Sequence, residues 1–190
     1  MRRLLCIGDS NTWGYDPRSP LGGRYPADVR WTGRLPGWEV CSDGQNGREI
    51  PDPGDYPDTG RRIAAASCDV AAVMLGTNDL LRGVSAAEAA EKMEPFLRYL
   101  LGACPGTVLL LIAPPPFQPG DWVTSRCLLD ESSRLAVSYA ALARKTGVAF
   151  ADAGLWGVTL AFDGVHFTSE GHAAFAAGLR TVIDALFVQV

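Results

Sequence analysis

The chain has 190 residues and a net charge of −4, with 47% hydrophobic and 20% charged residues. These values are typical of a globular protein and exclude a disordered chain, a collagen and a coiled coil. The acidic balance and the scattered arginines argue against a nucleic-acid surface. No apolar run approaches the roughly 18 residues of a membrane span. We therefore expect no nucleic acid and no membrane among its partners.

The start of the chain, its length and its cysteines suggest a single cytoplasmic domain. The basic start, residues 1–3, precedes an apolar run of only residues 4–7, which is too short for the core of a signal peptide. We therefore expect a cytoplasmic protein. The length suits one domain and no linker or repeat is visible, so residues 1–190 are predicted to form a single domain. The five cysteines are widely spaced, so neither a disulfide scaffold nor a Cys-x-x-Cys zinc site is expected.

Three apolar runs indicate buried strands. Residues 3–8, 69–76 and 107–113 are almost continuously apolar and are bounded by Gly, Pro or Asp. Such runs are typical of parallel strands that are buried on both faces. Weaker strand patterns cover residues 38–41 and 148–151.

Helical patterns separate these strands. Ser85 and Glu88 form a capping box that opens a helix to about residue 101. A second long helix is predicted from about 130 to 145, before Gly147, and a third from 168–169 to about 187. Shorter helices are predicted over 28–35 and 61–66. The alternation predicts a three-layer α/β fold with a parallel sheet of about five strands in flavodoxin-like order.

Four polar clusters follow the carboxyl ends of predicted strands, the fourth of them after the last strand. They cover residues 8–12, 43–47, 76–79 and 163–166. Each cluster alone is more typical of a turn or a helix cap than of a catalytic site. In open α/β sheets, however, ligands bind at the carboxyl edge of the strands. Convergence of the four clusters on that edge favours a catalytic site.

The clusters contain the groups that nucleophilic catalysis needs. Ser10 offers a hydroxyl at a strand-to-helix turn, and Asp163 can orient His166 so that its Nε2 takes the serine proton. Backbone N–H groups of Ser10 and Gly47, and the side-chain amide of Asn78, can stabilise an oxyanion. No metal motif and no phosphate-binding loop is present in the sequence, so no metal and no cofactor is expected.

These residues resemble the four sequence blocks of the SGNH subfamily of GDSL esterases and lipases. In chain order the blocks are Gly8-Asp9-Ser10, Gly47, Gly76-Thr77-Asn78-Asp79 and Asp163-Gly164-Val165-His166. The resemblance implies an SGNH hydrolase fold, with Ser10, Asp163 and His166 as the catalytic triad. It implies that Ser10, Gly47 and Asn78 form the oxyanion hole, with Gly44 as an alternative to Gly47.

Further segments resemble bacterial arylesterases that also act as acyltransferases and perhydrolases. They are residues 29–33, 74–79, 114–116 and 163–168, whereas residues 48–60 and 117–130 depart from that group. The resemblance implies hydrolysis of small acyl or aryl esters through an acyl-enzyme. It also implies acyl transfer to alcohols or peroxide, and it makes a homo-oligomer possible.

The pocket residues leave alternatives open. Trp13 and Asn46 are candidate substrate-binding residues, although Trp13 equally fits an ordinary core aromatic. His172 is predicted to be a residue on a helix face and not a catalyst. A carbohydrate O-acetylesterase is the first alternative function, favoured if Trp13, Trp38 or Trp122 lies at the rim of the cleft. The second is a non-catalytic ligand-binding module on the same fold.

Overall fold

A single parallel sheet organises the computed structural model, which describes residues 1–187. Its strands are β1 (Arg2–Gly8), β2 (Trp38–Gly44), β3 (Val70–Met74), β4 (Val108–Ala113) and β5 (Ala149–Asp152). All pairs are parallel and the spatial order is β2-β1-β3-β4-β5. This is the flavodoxin-like order, so the predicted fold class is confirmed. The last three residues of the predicted domain, 188–190, lie outside the described residues.

The sheet is buried on both faces because the side chains of its central strands alternate between two apolar clusters. In β1, Leu5 and Ile7 belong to one cluster, whereas Leu4 and Cys6 belong to the other. Successive side chains of a strand point to opposite faces, and a strand with helices on both sides is therefore apolar throughout. This explains why β1, β3 and β4 could be recognised as continuous apolar runs.

Six α-helices connect or follow the strands. They are α1 (Ser10–Trp13), α2 (Tyr56–Ala66), α3 (Thr77–Leu81), α4 (Ala86–Ala103), α5 (Arg126–Thr146) and α6 (Ser169–Ala185). The predicted capping box of α4 is present, since Ser85 and Glu88 each accept a hydrogen bond from the backbone N–H of the other. Helix α5 begins about four residues before its predicted start, because Ser125 accepts from the Cys127 N–H and caps it.

The helix predicted over residues 28–35 is wrong. The structure contains only a short 3₁₀ turn at Trp31–Gly33. The indole of Trp31 is buried and donates to the Asn11 carbonyl at 2.9 Å. Gly33 packs so closely on the Ala27 backbone that a Cβ would have no room. Tertiary contacts therefore fix this segment against its local helical pattern.

Candidate active site

The first residue of interest, Ser10, begins α1 immediately after β1. The fully buried Asp9 caps this short helix by accepting from the Asn11 N–H at 2.9 Å. Burial raises the pKa of Asp9. Gly8 permits the tight turn, because a Cβ there would collide with the side chain of Thr12. The strand-to-helix turn therefore places Ser10 at the carboxyl edge of the central strand.

A hydrogen-bonded chain of three side chains runs through this edge. Ser10 Oγ lies 2.9 Å from His166 Nε2, and His166 Nδ1 lies 2.6 Å from Asp163 Oδ2. All three residues are buried. Burial alone would raise the pKa of Asp163, but hydrogen bonds from the His166 ring and from the backbone of His166 and Val165 outweigh it, and the pKa is lowered. The ionised carboxylate keeps the proton on Nδ1, which leaves Nε2 free to accept the serine proton.

A turn after β2 presents Gly47 to the same place. The N–H of Arg48 donates to the Gln45 carbonyl at 3.2 Å, which closes a four-residue turn. Gly47 occupies the third position of this turn with a φ of +73°, a conformation that favours glycine. Its own N–H donates no hydrogen bond within residues 1–187. The turn therefore offers a free backbone donor.

Two consecutive residues of α3 hold this turn. Asn78 donates from Nδ2 to the Arg48 carbonyl at 2.9 Å, which fixes the orientation of its amide and leaves its second N–H for another acceptor. The fully buried Asp79 accepts from the Ile50 N–H and from Lys92 Nζ, both at 3.0 Å. The predicted oxyanion donors at Gly47 and Asn78 are thus fastened to each other.

The Arg48 side chain also ties the turn to the sheet. Its guanidinium is mostly buried and donates to the Asp43 carbonyl at 2.6 Å and to Asp43 Oδ1 at 3.2 Å. Gly44, the alternative to Gly47, ends β2, and a Cβ there would collide with the backbone of Thr12 and Trp13. Gly44 is therefore closely packed against α1, and Gly47 remains the candidate oxyanion donor.

A cavity of about 170 Å³ joins these groups. It is lined by Ser10, Tyr15, Asn46, Gly47, Asn78, Leu81, Trp122, Val165 and His166. The rings of Tyr15 and Trp122 flank the His166 imidazole, with centroid distances of 4.5 and 5.0 Å. Trp122 is 52% exposed and therefore also faces solvent at the rim.

The structure brings most, but not all, of the candidate residues into this cavity. Asn46 lines the cavity. Trp122 also lines it, but Trp13 does not. The ring of Trp13 instead packs against the guanidinium of Arg24 at 5.0 Å. Trp38 lies at the amino end of β2, where its indole donates to Asp184, and is therefore at the opposite edge of the sheet.

Three lining residues were not predicted from the sequence as pocket residues: Tyr15, Leu81 and Val165, the last of which was recognised only as part of the block that ends with His166. Tyr15 opens a long loop after α1, and Leu81 is the last residue of α3. Nothing local distinguishes either residue from an ordinary loop or helix residue. Their proximity to Ser10 and Asn78 in the chain was the only available signal.

The second histidine has no place in this cavity. His172 lies on α6, as predicted, but is fully buried between the rings of Tyr25 and Phe167. Its Nδ1 accepts from the Trp31 N–H at 3.4 Å. Burial, with a smaller contribution from Arg30, lowers the pKa of His172 to about 4. It is therefore a neutral core histidine at ordinary pH.

A larger cavity, of about 440 Å³, is lined in part by Arg48 and contains none of the three hydrogen-bonded catalytic candidates. Charged side chains of both signs line it, including those of Arg62, Lys92 and Asp58. In residues 1–187, no three His, Cys, Asp or Glu side chains are arranged to hold a metal ion. None of the described helices is both long and apolar enough to cross a membrane.

Comparison with known proteins identifies the class. The sequence profile of the GDSL-like lipase/acylhydrolase family matches residues 6–174. The chain therefore belongs to this family and is a GDSL-type ester hydrolase. A comparison with curated protein sequences gave no match.

Solved structures resemble the whole fold. An aryl esterase from M. smegmatis has 29% sequence identity and a TM-score of 0.87, with 98% of this chain and all of that chain covered. A carbohydrate acetylesterase from Sinorhizobium meliloti gives the same identity, TM-score and coverage. A putative arylesterase from Agrobacterium tumefaciens str. C58 has 28% identity and a TM-score of 0.84, again with 98% and 100% covered. This chain is thus similar to esterases that act on different kinds of ester.

Proposed function

We propose that the protein is a serine esterase that hydrolyses short-chain acyl or aryl esters of small molecules through an acyl-enzyme. The observation that carries the proposal is the chain of hydrogen bonds from Ser10 through His166 to Asp163 at the wall of a small cavity. Similarity to aryl esterases supports the same conclusion. The complete set of catalytic groups argues against a non-catalytic module.

In the proposed mechanism Ser10 attacks the ester carbonyl while His166 Nε2 takes its proton. Asp163 orients the imidazole and stabilises the imidazolium. The N–H groups of Ser10 and Gly47 and the free N–H of Asn78 stabilise the oxyanion of the tetrahedral intermediate. The imidazolium then protonates the departing alkoxide, and water attacks the acyl-enzyme with His166 as the base.

The size of the cavity supports a short acyl group. A volume of about 170 Å³ must hold the acyl chain and the reacting carbonyl, and Leu81 and Val165 contribute apolar walls. An alcohol or hydrogen peroxide that reaches the acyl-enzyme in place of water would be acylated. We propose this acyl transfer as a second reaction of the same intermediate.

The test is turnover of p-nitrophenyl esters from acetate to octanoate by the wild type and by Ser10→Ala. We expect turnover to decline with chain length. Loss of the nucleophile should lower kcat by several orders of magnitude, as it does in serine proteases. Ser133→Ala, which removes an exposed hydroxyl on α5, is the control and should retain full activity.

Two results would contradict the proposal. Ester turnover by Ser10→Ala within tenfold of the wild type would exclude Ser10 as nucleophile. Failure of a serine-directed phosphonate to label the wild type would favour the non-catalytic alternative.

A carbohydrate O-acetylesterase is the second candidate function, and Trp122 is the observation that favours it. Its half-exposed ring stands beside His166, where an aromatic platform could receive a sugar ring. The similarity to the acetylesterase of Sinorhizobium meliloti agrees with this function. Trp122→Ala should then lower kcat/KM for acetyl-xylan much more than for p-nitrophenyl acetate. An equal loss for both substrates would remove the reason to prefer a sugar.

A further inference from the structure

The residue after the proposed nucleophile, Asn11, contacts the loop that carries His166. Its side chain is 3% exposed and does not line the cavity. Nδ2 donates to the Val165 carbonyl at 3.1 Å, and Oδ1 accepts from the Phe167 N–H at 3.0 Å. The carboxamide therefore pairs with the peptide groups on both sides of His166, as a neighbouring strand would.

These two bonds complete the hydrogen bonding of the backbone around His166. The N–H groups of Val165 and His166 donate to Asp163 Oδ1, and the His166 carbonyl accepts from the Ala161 N–H at 2.7 Å. Those partners belong to the same loop as His166. The Asn11 carboxamide instead belongs to α1, so it links the histidine loop to the element that carries Ser10.

Asn11 directly follows the proposed nucleophile in the segment Gly8-Asp9-Ser10-Asn11. An apolar side chain of similar size, such as leucine, could form neither of the two bonds. The Asn11 carboxamide is buried, and both of its polar groups are satisfied by the backbone beside His166.

We propose that Asn11 is a positioning residue that sets the distance between Ser10 Oγ and His166 Nε2. This inference rests on the proposed function. Asn11 is adjacent to Ser10 and is hydrogen-bonded to both neighbours of His166. Any change in the length or hydrogen bonding of its side chain therefore shifts one of the two proposed catalytic groups relative to the other. A misplacement of about 1 Å can cost about 100-fold in rate.

The experiment compares Asn11→Leu and Asn11→Asp with Thr12→Val. Leucine removes both bonds at similar size, whereas aspartate can accept from Phe167 but cannot donate to Val165. Thr12 is equally buried in α1, and its hydroxyl has no partner within residues 1–187, so Thr12→Val is the matched control. Rates are taken on the pH-independent plateau, so that the added charge of aspartate does not distort the comparison.

Both Asn11 variants should lower kcat by about 10- to 100-fold while KM stays within about threefold. Thr12→Val should match the wild type. In a His166→Gln background, Asn11→Leu should cause no further loss of the residual rate, because it acts through the imidazole. The low-field proton signal of the His166 Nδ1–H should move in both Asn11 variants and not in Thr12→Val.

Other results would contradict either the role of Asn11 or the proposed function, and the two cases can be distinguished. A rise in KM at constant kcat would mean that Asn11 contacts substrate. An unchanged kcat, with Ser10→Ala inactive, would refute the role of Asn11 and leave the proposed function intact. If the wild type turned over no ester, the proposed function would fail. The signal of the His166 Nδ1–H proton would then still decide whether Asn11 positions His166. If Asn11→Leu does not fold, Asn11→Asp provides the same measurement.

Discussion

The two histidines should have separable effects, because one is in the proposed triad and the other is buried in the core. Burial lowers the pKa of His172 from 6.5 to about 4 in the folded protein. Between these values the unfolded chain binds a proton that the folded chain excludes. Stability contributed by the neutral imidazole is therefore complete above about pH 6.5 and is lost as the pH falls toward 4.

The size of this effect follows from the shift. At 1.36 kcal/mol per pKa unit, a shift from 6.5 to about 4 corresponds to a loss of about 3 kcal/mol at the acid end. Most of that loss, about 2 kcal/mol, falls between pH 7.5 and pH 5. Urea unfolding at these two pH values measures it. His172→Gln should remove this component of the pH dependence, although the variant is less stable at pH 7.5 because the ring contacts with Tyr25 and Phe167 are lost.

The same variant tests which histidine controls activity. Since His172 stays neutral down to about pH 4, His172→Gln should leave the dependence of kcat/KM on pH unchanged above that value. His166→Gln should abolish most activity, because it removes the proposed base. Two results would refute this reasoning: a His172→Gln variant with the same pH dependence of unfolding as the wild type, or one whose kcat/KM depends on pH differently from that of the wild type.

Three further predictions concern the remaining site residues. Asn78→Ala should lower kcat by about 10²- to 10³-fold with little change in KM, as loss of an oxyanion donor does; steady-state kinetics that show only a KM change would make Asn78 a binding residue. Asp163→Asn should lower kcat by about 10²- to 10⁴-fold, since its amide would face Nδ1 and disfavour the active tautomer. Its backbone contacts through Oδ1 can persist, so circular dichroism should show a folded protein, and a rate near wild type would contradict the assigned role. Gly47→Ala should lower kcat at least tenfold, and its positive φ should lower the free energy of unfolding by about 1–2 kcal/mol. Gly44→Ala should mainly lower Tm, because its Cβ collides with α1. The reverse pattern would exchange the roles of the two glycines.

Much of the fold could be predicted because its signals are local. The apolar runs of β1, β3 and β4 follow directly from burial on both faces. The capping box at Ser85 and the left-handed Gly147 likewise mark the limits of α4 and α5 within a few residues. Local signals failed over residues 28–35, where buried Trp31 and its bond to Asn11 decide the conformation.

Some residues of the candidate site could likewise be predicted from the sequence, and others could not. Ser10, Asp163 and His166 could be predicted because their residue types and spacing carry chemistry in themselves. Tyr15 and Trp122 could not be predicted with the same force, because only the folded loops bring their rings to His166. The proposed role of Asn11 could not be predicted either, since its hydrogen-bond partners lie more than 150 residues away along the chain.

The order of the strands explains why these groups can act together. In the sheet, β1 lies between β2 and β3, so Ser10 stands between the turn that carries Gly47 and the helix that begins with Thr77 and Asn78. The proposed oxyanion donors therefore come from three neighbouring strand ends, although they are far apart in sequence. The proposed base, His166, lies farther from its strand, because its loop follows β5 at the far edge of the sheet.

That loop must reach back across the sheet edge, and it needs anchors to hold His166 within hydrogen-bonding distance of Ser10. One set comes from the loop after β4, where the N–H groups of Gln118 and Trp122 donate to the carbonyls of Gly164 and Asp163, both at 3.1 Å. The other comes from Asn11. Loss of either set should displace the proposed base and leave the proposed oxyanion donors in place. The turn with Gly47 is held separately, by Asn78 of α3 and by the bond from Arg48 to Asp43 of β2.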